Sequence, residues 1–124
     1  MQRVKFQKEY LINASEKIIF QCLSTPSGLA EWFADDVNVK GNTYTFFWEG
    51  DSESAELISI KNDQCVKFRW TDNDEAFFEM RIRIDDLTSD VAIIVTDFVE
   101  DDDISGAELL WDKNMENLRH ALGS

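Results

Sequence analysis

The side chains able to do chemistry in this chain are few in type and unevenly spread. His120 is the only histidine, and so the only side chain whose ordinary pKa lies near neutrality. Cys22 and Cys65 are the only cysteines. A structural zinc site takes about four nitrogen or sulfur ligands, and a catalytic one about three with an open position. One His and two dispersed Cys do not make either. There is no glycine-rich phosphate loop and no nucleophile elbow. Carboxylates are abundant: residues 85–103 carry eight of them and no Lys or Arg. Hard cations accept carboxylate oxygens, so Asp101, Asp102 and Asp103 make either a loose cation site or a solvated turn. Their spacing is not that of a dedicated calcium loop, and no metal or cofactor is expected. Acid–base catalysis can use paired carboxylates, but those here fall mostly in turns, where solvent keeps pKa values ordinary. Asp97 is the best candidate for a buried ionisable group. His120 falls off the apolar stripe of its helix, near the chain end, and reads as a surface residue.

The aromatic residues carry more information. Trp32, Phe46, Trp48, Phe68, Trp70, Phe78 and Trp111 are spaced so that they can converge on one interior. Aromatic side chains are large and rigid, and a buried Trp wants a partner for its N–H. Two outcomes follow from such a set. It fills a core, or it lines an apolar pocket with a few polar anchors. Four Trp in a domain of 124 residues are hard to pack without gaps.

These residues need elements to position them. Val4, Phe6 and Tyr10 share one face of a first strand over 4–11, with Lys5, Gln7 and Glu9 on the other. Ser15 can cap a short helix with Ile18, Ile19, Cys22 and Leu23 on its apolar side. Thr25-Pro26 restarts the chain, because Pro fits the first helical position. This second short helix is expected to end near Trp32-Phe33. The period then changes to two. Tyr44, Phe46 and Trp48 share a strand face, and 55–60 forms the next strand. Val66, Phe68 and Trp70 alternate with Lys67 and Arg69. Residues 71–75 are polar and turn-like. Phe78, Met80, Ile82 and Ile84 alternate with Phe77, Glu79, Arg81 and Arg83, and a strand over 91–99 follows. Short turns between successive strands predict an antiparallel meander. The acidic run surrounds its last strand, which is read as edge-capable. Ser105 and Glu108 fit a capping box, and Ala107, Trp111, Met115, Leu118 and Leu122 form an amphipathic stripe. That helix is expected to cover the apolar face of the sheet.

The length suits one domain, residues 1–124, with a core of its own. A net charge of −13 argues against a nucleic-acid backbone and against anionic membranes as partners. It favours basic protein patches. No run is long and apolar enough to span a bilayer, and none resembles a signal peptide. The expectation is a cytoplasmic protein with two reduced, packed thiols.

Several stretches together resemble one known superfamily. They are the early strand, Ala14-Ser15 and its helix, and the stretch 23–33, whose Thr25-Pro26 and Trp32-Phe33 match a family segment. Phe46-Phe47-Trp48, Val66-Lys67-Phe68-Arg69-Trp70 and the Trp111–Leu118 helix follow in matching order. The chain resembles the START-like (SRPBCC, helix-grip) superfamily, in the branch homologous to the C-terminal domain of heat-shock chaperone ATPase activators. The resemblance implies an α+β helix-grip fold. Its curved antiparallel sheet wraps a long C-terminal helix, and two short helices follow the first strand. It also implies a cavity between helix and sheet, which relatives use for lipids, aromatic polyketides or plant hormones.

The first functional expectation is a non-enzymatic domain binding a small hydrophobic or aromatic ligand between sheet and helix. Trp48, Trp70 and Phe78 would form its floor, Trp111 and Leu118 its lid, and Trp32 and Phe33 its end, with Phe46, Phe68 and Met115 also in the pocket. The alternative is a protein-interaction or chaperone-cofactor domain, with Asp97, Glu100, Asp101, Asp102 and Asp103 meeting a basic partner. A second alternative is a cyclase or hydrolase, for which Asp97 would have to serve. A monomer or a weak homodimer is expected. All these readings require Trp111 to be buried, and Phe46 and Phe68 to lie on one side of the sheet.

Overall fold

In the computed structural model, residues 3–71 and 76–123 are described. The turn expected over 71–75 lies, from residue 72 onward, outside the described residues. The chain opens with β1 (Arg3–Leu11) and two short helices, α1 (Glu16–Ser24) and α2 (Pro26–Leu29). Ser15 caps α1, its Oγ accepting the Ile18 N–H at 3.4 Å. Thr25 joins the helices. Its hydroxyl donates to the Gln21 carbonyl (2.7 Å) and accepts the Gly28 N–H (3.0 Å). Gly28 lies so close to α1 that a Cβ there would run into the Gln21 carbonyl and the Cys22 Cα. The junction therefore needs glycine for closeness. α2 stops at Leu29, short of the expected end, and residues 30–33 continue as turns that still carry Trp32 and Phe33 inward.

Six strands follow: β2 (Asp36–Lys40), β3 (Thr43–Trp48), β4 (Asp51–Lys61), β5 (Cys65–Trp70), β6 (Phe77–Ile84) and β7 (Val91–Glu100). All seven pair antiparallel in the order β1-β7-β6-β5-β4-β3-β2. Two sequence expectations change here. β2 was not anticipated. The acidic strand β7 is not an edge, because β1 pairs with it along its length and β6 takes its other side. The outer strands are β1 and β2. β4 is longer than expected, and its register with β5 shifts between Leu57 and Ser59, an irregularity of the kind that bends a sheet.

The last element, α3 (Ile104–Leu122), lies in the concave face and ends at Gly123, whose φ of 70° is left-handed. The expected capping box does not form. The helix starts one residue before Ser105, Asp103 holds the cap position, and no side-chain hydrogen bond closes it. The stripe itself packs inward: Ala107, Trp111, Met115 and Leu118 are buried. Phe46 and Phe68 share the inner face with ring centroids 6.1 Å apart, and Trp111 is only 4% exposed. The outer face is polar. There Arg83 meets Glu9 at 2.9 Å, and the Lys67 ammonium sits 4.1 Å from the Phe77 ring centre. Among the described residues, no helix is long and apolar enough to cross a membrane.

Candidate functional site

The two flanks of α3 are built differently. On the β1 side, Lys8 and Tyr10 project from the inner face of the strand and meet Asp112. The Lys8 ammonium lies 2.9 Å from Asp112 Oδ1, and the Tyr10 hydroxyl donates to the same oxygen at 2.7 Å. Glu108 lies 3.8 Å from Lys8. One turn from the helix end, Arg119 donates twice to the Leu11 carbonyl (2.9 and 3.1 Å). The Lys8 and Tyr10 hydrogen bonds hold the Asp112 carboxyl below the usual carboxylate range. Burial, reinforced by that carboxylate, pushes the Tyr10 phenol up.

On the other flank, α3 does not close against the sheet. A cavity of about 200 Å³ opens there, with Phe33, Trp48, Trp70, Phe78, Leu110 and Trp111 as its apolar lining. Asp97, Glu53 and Asn114 supply its polar groups. A wider depression of about 590 Å³ adjoins it and shares Phe33, Trp48, Leu110 and Asn114. It adds Trp32, Lys113, Asn117 and His120. The two form one groove along the helix, narrow and aromatic at one end, wide and polar at the other.

The aromatic walls are fixed in place. The Trp48 indole N–H donates to the Phe33 carbonyl (2.9 Å), and that of Trp32 to the Cys22 carbonyl (2.8 Å). The Phe33 and Phe78 rings stack at 5.6 Å, and Trp70 lies 5.3 Å from Phe78. Phe33, Phe78 and Trp111 are buried, whereas Trp48 and Trp70 remain half-buried and present ring surface to the groove. Asp97 is on the inner face because β7 alternates: Ile93, Val95, Asp97 and Val99 point the same way. Its Oδ2 accepts the Trp111 indole N–H at 3.0 Å, and its Oδ1 the Phe98 N–H at 2.8 Å. Burial pushes the Asp97 carboxyl above the usual carboxylate range, against the pull of those two donors and of Arg3.

The structure thus divides the expected site residues. Trp32, Phe33, Trp48, Trp70, Phe78 and Trp111 reach the groove. Phe46, Phe68, Met115 and Leu118 are fully buried behind it and act as packing. Of the acidic set, Asp97 turns into the groove, and Glu100 lies 3.9 Å from Arg3. Asp101, Asp102 and Asp103 are exposed. Sequence reasoning missed Glu53, Leu110, Asn114 and the rim position of His120. Leu110, Asn114, Asn117 and Ala121 recur at helical steps beside the Trp111 stripe, which was a readable signal. Glu53 shares the inner face with Ala55 but lies ahead of the strand expected over 55–60. Another depression, of about 470 Å³ between residues 11–15 and 89–91, has no aromatic wall. Among the described residues, no three His, Cys, Asp or Glu side chains group closely enough to hold a metal ion. Cys22 and Cys65 are free and buried.

A family model described as a START-like superfamily domain matches residues 1–124. Among solved structures, the Bacteroides fragilis protein BfR322 is 35% identical, with a TM-score of 0.70 over 98% of this chain and 93% of that one. The Aha1 dimer from Colwellia psychrerythraea has a TM-score of 0.82 at 19% identity, covering 96% of each chain. The Staphylococcus saprophyticus protein SSP2350 has a TM-score of 0.80 at 12% identity, over 97% of this chain and 92% of that one. The last two likenesses are of fold. A search of curated proteins gives no match.

Proposed function

Since the chain belongs to the START-like superfamily, we propose that it is a binding domain for a small aromatic or apolar ligand held in the open flank between α3 and the sheet. One observation carries this reading. Trp48 and Trp70 stay half-buried over a cavity of about 200 Å³ whose other aromatic walls, Phe33, Phe78 and Trp111, are buried. An apolar cavity of about 150 Å³ is enough for benzene, so the narrow end suits one ring, and the wider end has room for a substituent. Binding is favoured over turnover. Of the two carboxylates that line the narrow end, Asp97 already accepts two N–H groups and Glu53 is exposed at the rim, whereas an acid–base catalyst needs a proton within reach of substrate.

The test is native mass spectrometry of the purified chain, with and without a lipid extract of its host. A retained small molecule that Trp48→Ala loses supports the reading. A chain that stays empty, with unchanged tryptophan fluorescence, overturns it. A second reading, capture of a basic protein partner, draws on the exposed Asp101, Asp102 and Asp103 and on the shared fold of the Colwellia Aha1 dimer. It predicts salt-sensitive capture that the triple Asn variant abolishes. Light scattering would show whether this chain also pairs.

A further inference from the structure

Resting on the binding reading above, we propose that the narrow end of the groove selects an organic cation, a substituted ammonium carrying an aromatic or alkyl group, over a neutral molecule of the same shape. The geometry supplies both parts of such a site. Trp48, Trp70, Phe78 and Trp111 line it, and aromatic faces, Trp above all, attract an ammonium through their quadrupole when water is excluded. Asp97 and Glu53 line the same space, one half-buried and one exposed at the rim. Among the described residues lining this end there is no Lys, Arg or His, whereas the wide end mixes Glu31 and Asp35 with Lys113 and His120. The narrow end is therefore the place where one sign of charge and aromatic walls coincide.

Asp97 retains capacity for such a ligand. A carboxylate offers about four acceptor positions, and its two N–H donors come from the Trp111 indole and the Phe98 backbone. Those donors fix its direction without neutralising it. Among the described residues, the charged groups near it are Arg3 from β1 and Glu53 from β4, while α3 contributes only uncharged Leu110, Trp111 and Asn114. A neutral ligand would leave this half-buried carboxylate without an added counter-charge. A cation supplies one. The net charge of −13 also raises the local concentration of cations around the whole molecule.

The experiment titrates the full chain with benzyltrimethylammonium and, separately, with its neutral isostere neopentylbenzene, following tryptophan fluorescence and heat. The cation should bind at least about tenfold more tightly. Asp97→Asn, which keeps an oxygen for the Trp111 N–H, should remove most of that difference. Should that variant fold poorly, Glu53→Gln should narrow the difference by a smaller factor. Affinity for the cation should fall as pH is lowered through the elevated titration of Asp97, while affinity for the isostere stays level. An isostere that binds as well as the cation overturns this inference and leaves the binding reading standing. Failure of both ligands overturns the inference as well, and the lipid-extract experiment then decides the binding reading separately.

Discussion

The helix α3 has one flank that is fastened and one that is not. Toward β1, a Lys, a Tyr and an Arg reach across to Asp112 and the Leu11 carbonyl. Toward β3 and the α2–β2 connection, the helix shows Leu110, Asn114 and Asn117 to a groove. The apolar stripe between them is common to both. Burial of that stripe holds the helix in the sheet, the polar ties set which way it leans, and the unfastened side leaves space. A domain whose only task was stability would gain by closing both flanks. Here one is left open beside half-buried Trp48 and Trp70. That asymmetry is what the proposed binding reading draws on.

The largest test falls on the boundary between the flanks. Trp111 packs in the core and also lines the narrow end. Trp111→Ala should cost about 3–5 kcal/mol in denaturant unfolding if core packing dominates, and it also strips Asp97 of its indole donor. A much smaller cost with complete loss of ligand would make Trp111 a groove wall and move the boundary one side chain inward.

Next comes the fastened flank alone. Tyr10→Phe removes the hydroxyl that donates to Asp112 and keeps the buried ring. Unfolding should become easier by about 1 kcal/mol, with ligand affinity unchanged. If affinity shifts with stability, the two flanks are coupled through the helix, and the contrast drawn between them fails.

The flanks should also answer acid with opposite signs. Asp112 titrates lower in the folded chain than in the unfolded one. Its contribution is present above the unfolded carboxylate pKa and is lost as pH falls toward the folded value. Asp97 titrates higher when folded. In the window above the unfolded pKa, the folded state binds more protons, so this group's contribution to stability falls as pH rises through that window. Melting temperatures across acid pH should therefore show Asp97→Asn flattening a decline with rising pH, and Asp112→Asn flattening a rise. The same sign for both variants would contradict the assigned environments.

How much of this was readable beforehand varies with the physics involved. Alternation marked β1, β3, β5 and β6 because each has one apolar face, a continuous apolar run marked β7, and three-and-four spacing marked α3. β2 escaped because its sequence, Asp36–Lys40, has only two apolar positions, of which Val39 is 39% exposed. This short outer strand carries little pattern to read, unlike β1 at the opposite edge. Strand order was not legible, since alternation reports which face a residue takes and not which strand lies beside it. The acidic run reads as an edge from its charge pattern alone, whereas β1 pairs with it along its length. Asp97 was partly legible: it occupies an apolar-phase position of β7, and a carboxylate there has to find donors. Its donor, Trp111, lies on another element, and only the packing of α3 brings the two together.

The smallest expected effect gives the sharpest control. Leu110 and Leu109 are neighbours on α3, exposed at 60% and 70% respectively. Only Leu110 lines the groove. Truncating either to Ala should change stability by no more than about 0.5 kcal/mol, because neither fills the core. Leu110→Ala should nevertheless weaken the proposed ligand several-fold, on the order of one lost apolar contact, while Leu109→Ala leaves it unchanged. Two substitutions of one chemistry, one residue apart, thus differ only in which side of the helix they alter. Equal losses at both positions would mean that the ligand rests on the outer surface of α3, and the open flank would then be an unfilled space with no occupant of its own.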